Sequence, residues 1–178
     1  MPHFDGEDTV QFVTVRLSDS LPKNLLDKWR RELENEQIDD PELRKRIEHY
    51  LDQGHGEAFL RRPDIADIIQ NSILHLDGKS CYLISWVVMP NHVHLLIKLL
   101  QGKYLRDFIK MLKGFTAREA NKILDRKGKF WQEDYFDRYI RDEKHYFSTI
   151  NYIENNPVKA GLCKRSEEWR HSSAFYRK

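Results

Sequence analysis

The stretch Cys81-Tyr82-Leu83-Ile84-Ser85-Trp86-Val87-Val88-Met89-Pro90-Asn91-His92-Val93-His94-Leu95-Leu96-Ile97-Lys98-Leu99-Leu100 is two apolar, β-branched runs separated by Pro90-Asn91. Runs of this length and composition, bounded by turn residues, read as strands, and the short connection makes them a hairpin of two buried strands over 81–89 and 92–100. Working outward, Thr9–Leu17 (Thr-Val-Gln-Phe-Val-Thr-Val-Arg-Leu) alternates apolar with polar over much of its length and reads as another strand. Residues 22–36 and 41–53 carry Leu25, Leu26, Trp29 and Leu33, then Leu43, Ile47 and Leu51, at helical spacing, with Pro41 at a helix start. Pro63–Leu76 repeats the pattern with Ile65, Ile68, Ile69, Ile73 and Leu76 as a buried stripe.

Beyond the hairpin, Tyr104–Leu124 is helical, with Leu105, Phe108, Ile109, Leu112 and Phe115 inward and its basic residues largely outward. Residues 129–140 are aromatic and read as extended. Asp142 caps a last helix, expected to run to about Asn155 and stop at Pro157, with Phe147, Ile150 and Ile153 as its buried stripe. Strand, helices, hairpin, helix, strand, helix describes an α+β fold: a ferredoxin-like or RRM-like antiparallel sheet packed with helices. A helical insertion at about 21–60 follows the first strand, and residues 1–178 are expected to form a single domain.

Composition narrows the function classes. The 40% hydrophobic content of the 178 residues suffices for a core and excludes global disorder. No apolar run approaches the ~18 residues of a membrane span. The start Met1-Pro2-His3-Phe4-Asp5 has neither a charged leader nor an apolar stretch for export, and two isolated cysteines make no disulfide framework. The expectation is a soluble cytoplasmic protein. The net charge of +2 is distributed unevenly: Lys103 to Lys129 holds nine Lys/Arg against three acids, whereas Lys23 to Arg62 holds nine against ten. One locally basic face suits a polyanion, although a charge-rich helix is commonly no more than a solvated surface.

Two places carry chemistry. On a strand, residues i and i+2 share a face, so His92 and His94 project together and are natural ligands for a divalent cation. Equally, both could be hydrogen-bonded histidines of the core or its rim; only a third converging group separates the readings. Tyr152 and Asn156 lie one turn apart on the last helix. A phenol one turn from an amide, facing two imidazoles, would place a nucleophile beside a metal pocket. Taken singly, Tyr152 is also an ordinary rim residue and Asn156 an ordinary helix cap.

These segments resemble a known family. Trp86-Val87-Val88-Met89-Pro90-Asn91-His92-Val93-His94-Leu95-Leu96 is similar to the His-hydrophobic-His (HUH) signature of the single-tyrosine transposases. Tyr152-Ile153-Glu154-Asn155-Asn156-Pro157-Val158-Lys159-Ala160-Gly161-Leu162 resembles their catalytic-tyrosine helix, and Phe130–Asp137 with Ile140–Glu143 the segment linking the two. The branch most resembled is the REP-associated tyrosine transposases, over roughly residues 9–20 and 64–175. The resemblance implies a single-stranded DNA endonuclease and strand transferase. In it His92, His94 and Asn156 would hold Mg²⁺ or Mn²⁺, and Tyr152 would attack phosphorus to leave a 5′-phosphotyrosine link and a free 3′-OH. The partner it implies is single-stranded DNA, with or without hairpin structure, and no membrane. Monomer and homodimer stay open, as does whether Tyr152 serves its own histidines or a partner's.

Under that reading Lys110, Lys113, Arg118 and Lys122 would line a phosphate track, with Arg138 and Arg141 as further contacts. Trp131, Tyr135, Phe136 and Tyr139 are candidates for stacking on unpaired bases, with core filling as the competing role. His145 and a metal-bound water are candidates to take the phenol proton, with neither favoured by the sequence. Two other readings compete: a non-catalytic nucleic-acid-binding module with an RRM-like sheet and basic helix, and a small-molecule metal enzyme using Glu154 as a carboxylate ligand.

Overall fold

The computed structural model describes residues 9–177. The Met1–Asp5 start, on which the expectation of a leaderless chain rests, lies outside the described residues. Four strands, β1 (Val10–Arg16), β2 (Cys81–Val88), β3 (His92–Leu99) and β4 (Phe136–Tyr139), form one sheet in the order β2-β3-β1-β4. Every pairing is antiparallel. Among the described residues six α-helices accompany it: α1 (Lys23–Glu34), α2 (Asp40–Asp52), α3 (Pro63–Leu76), α4 (Leu105–Ile123), α5 (Glu143–Lys159) and the short α6 (Ser173–Tyr176). The α+β, ferredoxin-like plan read from the sequence is the plan observed. Among the described residues no helix is long and apolar enough to cross a membrane.

Strand alternation divides the sheet into two unlike faces. Val13, Val15 and Leu17 of β1 and its end, with Val93, Leu95 and Ile97 of β3, meet α3 and α4 in the main core. The other face carries Phe12, Thr14 and Arg16 opposite Leu96, His94 and His92 in register. It meets α5 through Ile153. The helix pair α1–α2 closes on itself through Leu26, Leu43, Ile47 and Leu51, and its cluster includes Phe136 of β4. The inserted helices therefore lie over the same face as the histidines.

Three expectations are corrected. The last helix does not stop at Pro157 but runs through it to Lys159. Pro157 lacks the N–H that would reach Ile153, yet the chain stays helical because Ala160 N donates to Asn156 O (2.9 Å), Leu162 N to Pro157 O (2.9 Å) and Gly161 N to Val158 O (3.0 Å). Asn156 is thus held in a helical turn rather than an extended one. The buried stripe of α5 is Thr149, Ile153, Asn156 and Pro157; Phe147 is 58% exposed, and Phe115 of α4 is also exposed. Of the aromatic stretch 129–140, only Phe136–Tyr139 is a strand, while Trp131 makes a single bridge to Leu17.

Candidate active site

His92 and His94 are fully buried, side by side on β3. The hairpin turn fixes the first: Asn91 Nδ2 donates to His55 O (2.9 Å), so Asn91 Oδ1 is left to accept from His92 Nδ1 (2.7 Å). His92 Nε2 then carries a lone pair. Strand pairing fixes the second, since Thr14 lies opposite His94 and its Oγ1 is 2.8 Å from His94 Nδ1. A hydroxyl can donate or accept, so Thr14 supports either tautomer of His94. The two Nε2 atoms are 3.1 Å apart. Burial pushes His92 down to about 3, with the Lys159 ammonium adding to the effect, and pushes His94 well below the ordinary imidazole range. Both rings are therefore neutral, the form that binds metals.

Helix α5 brings Tyr152 onto this pair. Its ring centroid is 5.5 Å from that of His94, and Phe12 touches both, at 5.9 Å from Tyr152 and 5.2 Å from His94. The phenol and the imidazoles belong to the same chain. One turn on, Asn156 is fully buried with neither Oδ1 nor Nδ2 hydrogen-bonded, and the Tyr152 hydroxyl also lacks a well-formed bond. Burial raises the Tyr152 phenol far above its usual range, with the carboxylates of Glu48 and Asp52 adding to it and Arg138 opposing.

Those two carboxylates are the residues that sequence reasoning missed. Glu48 and Asp52 lie four apart on α2, and that spacing was their only signal; on a charge-laced helix it looks like a solvated face. Asp52 Oδ2 accepts from Lys159 Nζ at 2.8 Å, while Oδ1 is buried, unbonded and 3.9 Å from His92 Nε2. Ligand atoms of Asp52, His92 and His94 all fall within 4.8 Å of one another. Burial raises Glu48, which stands near Tyr152 and Arg138. Glu154, the carboxylate considered from sequence, is occupied elsewhere: it accepts from Ser173 Oγ (2.8 Å) and pairs with Arg177 (3.2 Å).

Two imidazole nitrogens and an unbonded carboxylate oxygen within 4.8 Å of one another fit a divalent cation, and the buried, unbonded Asn156 amide one turn from Tyr152 is a further oxygen donor on α5. Uncompensated buried polar atoms are costly, and several in one place are what a cation-binding pocket leaves when considered without its ion.

The expected DNA contacts divide differently. Helix α4, with Lys110, Lys113, Arg118 and Lys122, packs on the sheet face opposite the histidines. Lys113 Nζ donates to Gln132 O and Glu133 O (both 2.8 Å), holding a loop, while Arg118 and Lys122 both pair with Glu119. Trp131 is buried, with Nε1 donating to Thr116 Oγ1 at 2.8 Å, so its ring fills the core and is no platform for a base. Tyr135 is buried as well, whereas Tyr139 is 44% exposed. Arg138 and Arg141 lie on the histidine side. His145 Nδ1 accepts from Arg141 N (3.3 Å), at the start of α5.

A family model described as transposase, IS200 like, matches residues 61–156, which span α3, β2, β3, α4, β4 and most of α5. The chain belongs to the IS200-like transposase family. Among curated relatives, the REP-associated tyrosine transposase of Escherichia coli K12 is 32% identical over 95 residues, covering 52% of this chain and 53% of that protein. A Haemophilus influenzae relative is 29% identical over 103 residues, covering 51% of this chain and 56% of its own length. The chain thus spans about half the length of the curated relatives it matches. In fold it is similar to a solved REP-associated tyrosine transposase bound to a REP hairpin, with a TM-score of 0.62 at 17% identity, over 99% of this chain and 82% of that one. Residues 23–52, which form α1 and α2 and carry Glu48 and Asp52, lie outside the segment that the family model matches.

Proposed function

We propose that this IS200-like transposase is a divalent-cation-dependent endonuclease and strand transferase acting on single-stranded DNA, hairpin-bearing strands included, through a covalent 5′-phosphotyrosyl intermediate on Tyr152. The observation that carries this reading is the packing of the Tyr152 phenol on His94 of the same chain, one turn from the unbonded Asn156 amide.

His92, His94, Asn156 and Asp52 are the groups to hold Mg²⁺ or Mn²⁺. Such an ion, when bound, neutralises phosphate oxygens and draws the nearby phenol toward phenolate. Asn91 and Thr14 orient the imidazoles from behind, as partners of metal-bound histidines generally do. Tyr152 Oη attacks phosphorus, the bond from phosphorus to the 3′ oxygen breaks, and that oxygen leaves as a hydroxyl after taking a proton from solvent water. Glu48, at the phenol and made more basic by burial, is the group placed to take the Tyr152 proton. Arg138 offsets the negative charge that develops on the phenol oxygen. The phosphotyrosyl ester keeps the energy of the broken bond, so a second 3′-OH can rejoin the strand with no nucleotide cofactor.

The test is incubation with labelled single strands, hairpin-bearing and plain, in Mg²⁺ or Mn²⁺, followed by a denaturing gel. The expected result is a covalent adduct that Tyr152→Phe or a chelator abolishes and that His92→Ala or His94→Ala reduces by at least about 100-fold. An adduct that survives Tyr152→Phe overturns the assignment of the nucleophile. Binding with no adduct on any strand overturns the transferase reading in favour of a binding module.

A further inference from the structure

The cations placed near Tyr152 are not those of the basic helix α4: Arg138 acts on its phenol and Lys159 lies over its ring. On α4, Arg118 and Lys122 pair with Glu119 and Lys113 donates to loop carbonyls, and the helix lies across the sheet from the histidines. A groove of about 610 Å³ instead runs between α2 and the β4–α5 connection. Its walls carry Arg44, Lys45 and Glu48 from α2 and Arg138, Arg141 and His145 from the other side.

Among the described residues, none of Arg44, Lys45, Arg138 and Arg141 sits in an ion pair, although Arg46 on the same helix pairs with both Glu32 and Glu42. Arg138 Nε is buried and unbonded, and its guanidinium lies 4.8 Å over the Phe12 ring. Of the groove's acids, Asp142 is engaged in capping α5 through His145 N (2.7 Å). Four cations without an ion pair line the groove against the three acids Glu48, Asp137 and Asp142, and this basic excess suits a chain of phosphates.

The groove also borders the residues that pack on Tyr152 and His94. At its inner end it meets a smaller cavity that shares Arg44, Glu48, Asp137 and Arg138 with it and is floored by Phe12 and Thr14. Phe12 touches His94 and Tyr152, and Thr14 bonds His94. The exposed Tyr139 also lines the groove, with the Arg141 guanidinium 5.9 Å over its ring.

We propose that the groove between α2 and the β4–α5 connection is the path along which a single DNA strand reaches Tyr152, with Arg44, Lys45, Arg138 and Arg141 as its phosphate contacts. This rests on the strand-transferase reading and gives the inserted helix pair its role: α2 is one wall of the substrate channel.

Binding measured with chelator present separates this path from catalysis. Fluorescence anisotropy with a labelled single strand of about 20 nucleotides would compare the unaltered chain with the double variants Arg44→Ala/Lys45→Ala and Arg118→Ala/Lys122→Ala. Circular dichroism checks that each is folded. The α2 double variant should bind at least about tenfold more weakly, and its slope of log affinity against log salt should shrink by about 1.4, two single-strand phosphates' worth. The α4 pair should change affinity less than about twofold. An undiminished affinity in the α2 variant, or a larger loss in the α4 variant, overturns the path. So does an equal loss for a blunt duplex of the same sequence, which would mark an indiscriminate basic patch. The two readings fail separately: adduct formation with undiminished affinity in the α2 variant sinks the path alone, and α2-dependent binding without any adduct sinks the transferase alone.

Discussion

Thr14 on β1 and His94 on β3 are 80 residues apart in the chain and directly opposite in the sheet, with the threonine hydroxyl 2.8 Å from the imidazole Nδ1. One strand's polar side chain thereby holds the orientation of the other strand's imidazole. Asn91 does the same for His92 from the hairpin turn.

Removing that support should loosen metal binding while leaving the sheet intact. Thr14→Val keeps the β-branched shape but leaves His94 Nδ1 without its partner. Mn²⁺ affinity measured by calorimetry should fall about 10–100-fold. An unchanged affinity would mean that the ring is oriented by packing on Phe12 alone.

Asp52 makes a separate prediction, because it reaches the histidines from outside the family-matched segment. Asp52→Asn keeps the size of the side chain but removes the charge that faces His92 and Lys159. Mn²⁺ should bind at least about tenfold more weakly, with fold content unchanged by circular dichroism. Equal affinity in the two proteins would show that Asp52 serves only as the partner of Lys159.

Lys113 yields a pH dependence remote from the site. Burial holds its ammonium down to about 8 from an ordinary 10.5. Between those values the unfolded chain binds this proton more readily than the folded one. The resulting penalty is complete below about 8 and fades as pH rises toward 10.5. Urea unfolding of the unaltered protein against Lys113→Met should shift in favour of lysine by about 1–2 kcal/mol from pH 7.5 to 10, the range being discounted for a half-buried group. A shift in the opposite direction would contradict the burial that the structure assigns to Lys113.

Trp131 tests the division between core and substrate surface. Trp131→Phe removes the indole bond to Thr116 and should cost about 1–2 kcal/mol, a lowering of Tm by roughly 5 °C. Affinity for single-stranded DNA, measured well below that temperature, should not change. A selective loss of DNA binding at full stability would return the ring to the substrate surface.

Local pattern alone was enough for the order and kind of the elements, for the hairpin around Pro90-Asn91, and for the pairing of His92 with His94 and of Tyr152 with Asn156, because the periods of strand and helix state which residues share a face. What such periods do not state is which element that face meets. Glu48 and Asp52 read as one turn of solvated acid until the packing of α2 set them against Tyr152 and His92, and Asp52 finds Lys159 across 107 residues. The basic side of α4 read as a phosphate track until the sheet came between it and the histidines. Trp131 had a ring suited to either role, and only Thr116, supplied by α4, settled it for the core. Contacts between distant segments depend on how the layers close around a shared core, so the make-up of the reactive pocket, unlike its first two histidines, was decided in three dimensions.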